Sequence, residues 1–343
     1  MKRQLCSQAI VAAALAMSVG TAYAAVLTKG ATFDSLENFT YGVCRNPGSD
    51  TSCYHNWGVT RQKRVLIFSR TAAERNAALG NPLAAGTNPT LGPTNVAQAG
   101  LKRLLQAEGI TVDITESVGS VPGLGNSTYA AAIFLDTSGD VLWDHGRAVQ
   151  TSLAVSTTTS AYLDAAKVNL RQYMRSGGGF VGIHNALGTE SNWYWFTGLL
   201  GNANSYDSAA NQPGTVQIQA PGDSSTDPIG PPGTRFAFTD TFYTLVPFPT
   251  NVKFLAAVDE STLATKKAVH PGHGIFHPVA WCQYYDGGRA WVTTLGNDPR
   301  AWGDLSLPEN QPGGANYFPG AAEFQKLIVN GIKSAMGIVP FCT

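Results

Sequence analysis

The chain has 343 residues, a formal net charge of zero and only 13% charged residues, against about a quarter in ordinary soluble domains. With no basic stripe along it, nucleic acid is excluded as a partner class. Beyond the first two dozen residues no stretch approaches roughly 18 uninterrupted apolar residues, so no membrane contact is expected of the mature chain.

Lys2 and Arg3, the uncharged apolar run 9–19 and Ala22-Tyr23-Ala24 read as a secretory signal peptide over residues 1–24, cut after Ala24. Export to the periplasm or the cell exterior is the expectation. Of five cysteines, Cys6 departs with the signal, leaving Cys44, Cys53, Cys282 and Cys342 in a compartment that permits oxidation. Four cysteines allow three pairings. The favoured ones are Cys44–Cys53, across a short loop rich in Asn, Pro, Gly and Ser, and Cys282–Cys342, which would tie down the tail. Free buried thiols are the alternative. The absence of any C-x-x-C pair removes support for redox catalysis and zinc ribbons.

Residues 25–62 form an irregular extension that carries the first of those loops, and one domain is expected over 63–343. Its first element is the apolar run 64–68, suited to a buried parallel strand. A polar loop runs to about Pro93, then Val96, Leu101, Leu104 and Leu105 mark one face of a helix. Strands follow at 110–114 and 130–135, a helix at 164–174, and a strand at 180–183 after Gly177-Gly178-Gly179. Strand and helix alternating in this order predict βαβ units, hence an α/β fold with a parallel sheet covered on both faces. The stretch 201–232 reads as long loops around a short strand at 215–219. Further strands are expected at 253–258, 279–285 and 290–295, the last two meeting across Asp286-Gly287-Gly288 as a hairpin. An amphipathic helix over 324–336 closes the chain.

Ligands of open parallel sheets bind beyond the carboxyl ends of the strands. That directs attention to Ser69-Arg70, Asp136-Thr137 and His184-Asn185. No phosphate-binding P-loop and no G-x-G-x-x-G opens a helix. At the turn after residue 183, where a nucleophile elbow would present Ser or Cys, Gly182-Ile183-His184-Asn185-Ala186 presents a histidine. A histidine there exchanges protons or binds metal, or else is a polar cap on a buried strand. The cluster His270, His273 and His277 invites a zinc reading. Its Pro and Gly residues forbid a regular helix, though, and no carboxylate stands beside it at ligand spacing. An ordinary loop with a functional His277 is preferred. Asp240, between hydrophobic residues, is exposed on a loop or paired, and with Tyr243 could hold a hydroxyl. Trp193, Trp195, Trp281 and Trp302 could stack on sugar rings, although tryptophan is more often core.

Seven motifs then occur in a familiar order. They are Val65-Leu66-Ile67-Phe68-Ser69, the run from Leu135 to Leu142, and Gly177-Gly178-Gly179-Phe180-Val181-Gly182-Ile183-His184. After Trp195-Phe196 come Phe238-Thr239-Asp240 with Tyr243, His277-Pro278-Val279-Ala280-Trp281 and Thr294-Leu295-Gly296. The chain from about Lys63 to Gly337 resembles the ThuA-like (trehalose-utilisation) family of the class I glutamine amidotransferase-like superfamily. That resemblance implies a flavodoxin-like sheet extended by loops and a hairpin, and no cysteine nucleophile. It implies catalytic His184, Asp240 and His277, with Thr137, Asn185, Tyr243, Trp281 and Asn297 near the substrate. A disaccharide, glycoside or 3-keto sugar is the implied small-molecule partner. No cofactor is assigned, a divalent metal stays open, and so does the oligomeric state. A non-catalytic carbohydrate-binding or structural protein on the same scaffold is the alternative. Where relatives carry Phe-Arg-His, this chain has Glu74-Arg75-Asn76. Asp227-Pro228 replaces a His-Pro, Asp240-Thr241 an Asp-Glu pair, and Asn297 a histidine.

Overall fold

The computed structural model describes residues 61–125, 128–142, 165–208, 210–219, 222–264 and 271–343. The expected signal peptide, the Cys44–Cys53 loop and His270 lie outside them. Eleven strands are described: β1 (Arg64–Phe68), β2 (Thr111–Thr115), β3 (Ala131–Leu135), β4 (Gly179–Ile183), β5 (Ser205–Ser208), β6 (Gln212–Ile218), β7 (Arg235–Asp240), β8 (Tyr243–Leu245), β9 (Lys253–Asp259), β10 (His277–Tyr285) and β11 (Gly288–Thr293). The helices are α1 (Val96–Ala107), α2 (Ala165–Arg175), α3 (Tyr194–Leu199) and α4 (Ala321–Ala335). Nine strands form one sheet in the order β2-β1-β3-β4-β11-β10-β9-β6-β7, and β5 pairs with β8 separately. The first five are mutually parallel, and the remaining junctions are antiparallel. The order 2-1-3-4-5 of the parallel half is flavodoxin-like, with its reversal of winding between β1 and β3.

Alternation along each short strand divides the core into two layers. Val65 and Ile67 of β1 face the layer that holds Leu101 and Leu105 of α1 and Phe324, Leu327 and Ile328 of α4. Leu66 and Phe68 face the other, with Leu170 and Met174 of α2 and Phe196 of α3. Both faces are therefore covered, which explains why these strands read as unbroken apolar runs. Gly100 lets α1 lie directly on the 299–302 turn, because a Cβ there would stand 2.3 Å from the Trp302 carbonyl oxygen. The expected β10–β11 hairpin turns at Asp286 and Gly287, whose φ values of 43° and 90° are those an Asp-Gly turn supplies. Cys282 and Cys342 are disulfide-bonded, across 60 residues of sequence.

The stretch read as long loops holds more structure than expected. Its strand begins at Gln212, and Ser205–Ser208 pairs with Tyr243–Leu245. Pro213 argues against a central strand in sequence. It is accommodated because β6 meets β9 only from Thr215 onward, so that at Pro213 the strand has β7 alone beside it. Asp240 is the last residue of β7 and fully buried.

Candidate functional site

The carboxyl ends of β1, β4 and β11 open on a pocket of about 550 Å³. The segment after β1 gives it Glu74, Arg75 and Asn76, the turn after β4 gives His184 and Asn185, and the segment after β11 gives Asn297. Thr241 and Tyr243 close it from the β7–β8 side, and Ser205 and Tyr206 from β5. The lining residues carry amides, hydroxyls, the Glu74 carboxylate and the Arg75 guanidinium, a polar set suited to a ligand rich in hydroxyl groups.

His184 leaves β4 with a left-handed φ of 50°, a conformation rare and costly for a residue other than glycine. This turns its ring under the pocket floor, where it is 1% exposed. Nδ1 lies 2.6 Å from the Thr294 carbonyl oxygen, which can only accept, so the ring proton belongs on Nδ1. Nε2 then presents a lone pair to the Tyr243 hydroxyl at 2.9 Å, and the two rings stack with centroids 4.6 Å apart. The same hydroxyl stands 3.0 Å from Asn185 Oδ1. The single tyrosine proton thus has two acceptors, one in the floor and one in the wall. Burial pushes the His184 pKa down to about 4 against the pull of the Thr294 bond, so the imidazole is neutral at pH 7. Burial, then the charges of Asp136, Asp240 and Glu74, raise the Tyr243 hydroxyl above its ordinary value and keep it protonated.

Two buried aspartates hold the turns that carry these groups. Asp240 accepts backbone N–H bonds from Thr241 (2.7 Å), Gly296 (2.7 Å) and Asn297 (3.1 Å). Burial lifts its carboxyl to about 7, although the three N–H bonds oppose the rise. Asp136, at φ 51° after β3, accepts the Asn185 N–H through Oδ1, while Oδ2 is buried with no hydrogen-bond partner among the described residues. Burial, and secondarily the charge of Asp240, raise its carboxyl well above the carboxylate range. Asp240 therefore positions Thr241 and Asn297 from beneath; it does not line the pocket.

Of the residues expected from sequence, His184, Asn185, Tyr243 and Asn297 come together at the pocket, with Asp240 directly behind. Thr137 is buried below the floor, its hydroxyl 2.7 Å from that of Thr189. Trp281 is buried in the second core layer, donating its indole N–H to the Leu200 carbonyl, and Trp302 is also core. His277 lies behind Tyr243, 2.8 Å from its main-chain oxygen. Three of the four departures from the family pattern meet in one chain of bonds. The Asn76 amide donates to Asn297 Oδ1 at 2.9 Å, and the Asn297 amide donates to the Thr241 hydroxyl at 3.0 Å. The fourth, Asp227-Pro228, stands in a turn begun by Asp223. Sequence reasoning misses Ser205, Tyr206 and Glu260, the first two because β5 is four polar residues without a periodic signal. Among the described residues no group of three or more His, Cys, Asp or Glu side chains is arranged to hold a metal ion.

Fold and site together define an α/β protein of flavodoxin-like order with a polar pocket at its carboxyl edge. The chain belongs to the ThuA, trehalose-utilisation, family, whose match covers residues 84–318. Among solved structures it is similar to a ThuA-like protein from Bacteroides uniformis ATCC 8492, at 19% identity and a TM-score of 0.53, covering 81% of this chain and 93% of that one. A ThuA-like protein from Parabacteroides merdae ATCC 43184 matches at 14% identity and a TM-score of 0.49, covering 80% and 89%. No curated protein matches the chain.

Proposed function

We propose that the chain is an exported enzyme acting on a disaccharide, glycoside or 3-keto sugar by proton transfer at the His184–Tyr243 pair. The observation that carries this is the neutral imidazole bonded to a tyrosine hydroxyl at the edge of a polar pocket. His184 is covered, so it acts through Tyr243. A substrate proton passes to the tyrosine oxygen as the tyrosine's own proton passes to Nε2, leaving a substrate anion and an imidazolium. The buried carboxyls of Asp136 and Asp240 supply negative charge to such an imidazolium once they ionise. Asn76, Asn185, Thr241 and Asn297 orient hydroxyl groups.

The uncharged Asn76–Asn297–Thr241 chain also favours a second reading, carbohydrate binding without turnover, because none of its members exchanges a proton near neutral pH. Calorimetric titration with a panel of disaccharides and their 3-keto forms tests the shared part of both. At least one sugar is expected to bind, about tenfold more weakly to Asn297→Ala, from the loss of about one net hydrogen bond. No heat from any sugar would sink the carbohydrate assignment.

A further inference from the structure

Behind the pocket wall, the β8 main chain is met at Tyr243 and Leu245 by two histidines, His277 at the start of β10 and His273 in the loop before it. His277 Nε2 stands 2.8 Å from the Tyr243 carbonyl oxygen, and His273 Nε2 accepts the Leu245 N–H at 2.9 Å. Glu260, in the turn after β9, fixes that loop. Its carboxylate accepts main-chain N–H groups from His273 and Gly274 and faces His277 Nδ1 at 2.8 Å.

Hydrogen-bond accounting assigns different charges to the two rings. His277 stands between a carboxylate and a carbonyl, which only accept, so both its nitrogens carry protons and it is an imidazolium paired with Glu260. His273 accepts a bond at Nε2, so that nitrogen carries none. Burial would raise the Glu260 carboxyl, but the bonds from His273, Gly274 and His277 outweigh it and hold it below its ordinary value. Among the described groups beside His273 are Glu260, bonded to its main chain, and His277, whose ring centroid is 4.9 Å away; the Phe248 ring packs at 5.2 Å.

We propose that Glu260, His277 and His273 form a brace that positions Tyr243 against His184, and that protonation of His273 releases it. A proton on His273 Nε2 removes the acceptor from Leu245 N–H and sets a second cation beside the His277 imidazolium, so the β8 main chain, paired with β5 on its other edge, loses one of its two histidine bonds. Tyr243, two residues before Leu245, then leaves its 2.9 Å contact with His184. The brace builds on the reading of His184 and Tyr243 as the working pair, but it is measurable without any substrate.

The test is histidine ring ¹⁵N NMR on the purified protein, whose six histidines are few enough to assign. His184 itself titrates only near pH 4, so a change in its Nε2 signal between pH 8 and 5 reports its surroundings. The brace predicts that this signal loses its hydrogen-bonded shift along the titration curve of His273. His273→Gln, whose amide oxygen accepts the same bond but does not titrate, should keep the shift throughout. His273→Ala should lack it even at pH 8, with the protein still folded by its melting curve. An unchanged His184 signal through the His273 titration overturns the brace, as does a folded His273→Ala with the wild-type signal. If His273→Ala does not fold, the wild-type and His273→Gln titrations decide. Failure to bind any sugar would leave these outcomes intact, so the two readings fail separately.

Discussion

His184 combines a left-handed backbone, two engaged ring nitrogens and a stacked tyrosine, and these set how it titrates. Its ring should stay neutral down to about pH 4, which an NMR pH titration checks directly. The sign of the linked stability follows. A histidine whose folded pKa is depressed from 6.5 to about 4 contributes stability that is complete above pH 6.5 and lost as pH falls towards 4. Asp240, raised from 3.8 to about 7, does the opposite: its contribution is complete below pH 3.8 and lost as pH rises to 7. At about 1.4 kcal/mol per pKa unit the two are worth roughly 3–5 kcal/mol each, with opposite sign, so the two slopes largely offset one another. His184→Asn should therefore make stability fall more steeply between pH 4 and 6.5 than in the wild type, measured by urea denaturation at a series of pH values. Identical slopes would show that the ring is not buried neutral. At this scale the sequence located His184 and Asn185 by the strand-end rule. It could not assign His277 to the brace or Trp281 to the core, because both follow from what lies across the sheet.

The elements were legible where burial is two-sided. β1, β3 and β4 are unbroken apolar runs flanked by charge or glycine, and α1, α2 and α4 keep a helical apolar face. β5, β7 and β8 were not: β5 is four polar residues and β8 only three, while β7 alternates in burial but hides that period behind an outward Ala237 and an inward Asp240. At this scale Gly100→Ala should cost about 1–3 kcal/mol, because its Cβ would press on the Trp302 carbonyl and α1 must shift. Thermal melting would show it, and an unchanged Tm would mean that α1 and the 299–302 turn are not in contact. The tail strap is tested separately. Cys282–Cys342 closes a span of 60 residues, for which loop entropy gives about 4 kcal/mol. Cys342→Ser should lower the melting temperature by several degrees, without affecting a pocket formed at the other end of the strands.

At the scale of the whole molecule, five parallel strands supply the switch-point edge and the antiparallel extension supplies the wall that closes over it. Asp240 and Tyr243 come from that extension, while His184, Asn185 and Asn297 come from the parallel half. The family was readable from the order of its motifs along the chain, whereas the convergence of Asn76, Thr241 and Asn297 needed three dimensions: their sequence separations exceed fifty residues and no periodic signal links them. Because the three side chains are bonded in series, a single substitution such as Asn297→His should disturb the Asn76 and Thr241 bonds as well.

The most direct test of the central claim is turnover. The purified protein, His184→Ala and Tyr243→Phe are incubated with disaccharides and their 3-keto forms, and products are followed by chromatography. The account predicts that the wild type converts at least one of these sugars. It also predicts that either variant loses about 100-fold or more of that rate, the scale expected when a general acid–base group is removed, while still binding the sugar. Conversion that survives in both variants, or binding by all three proteins with no turnover in the wild type, would contradict it.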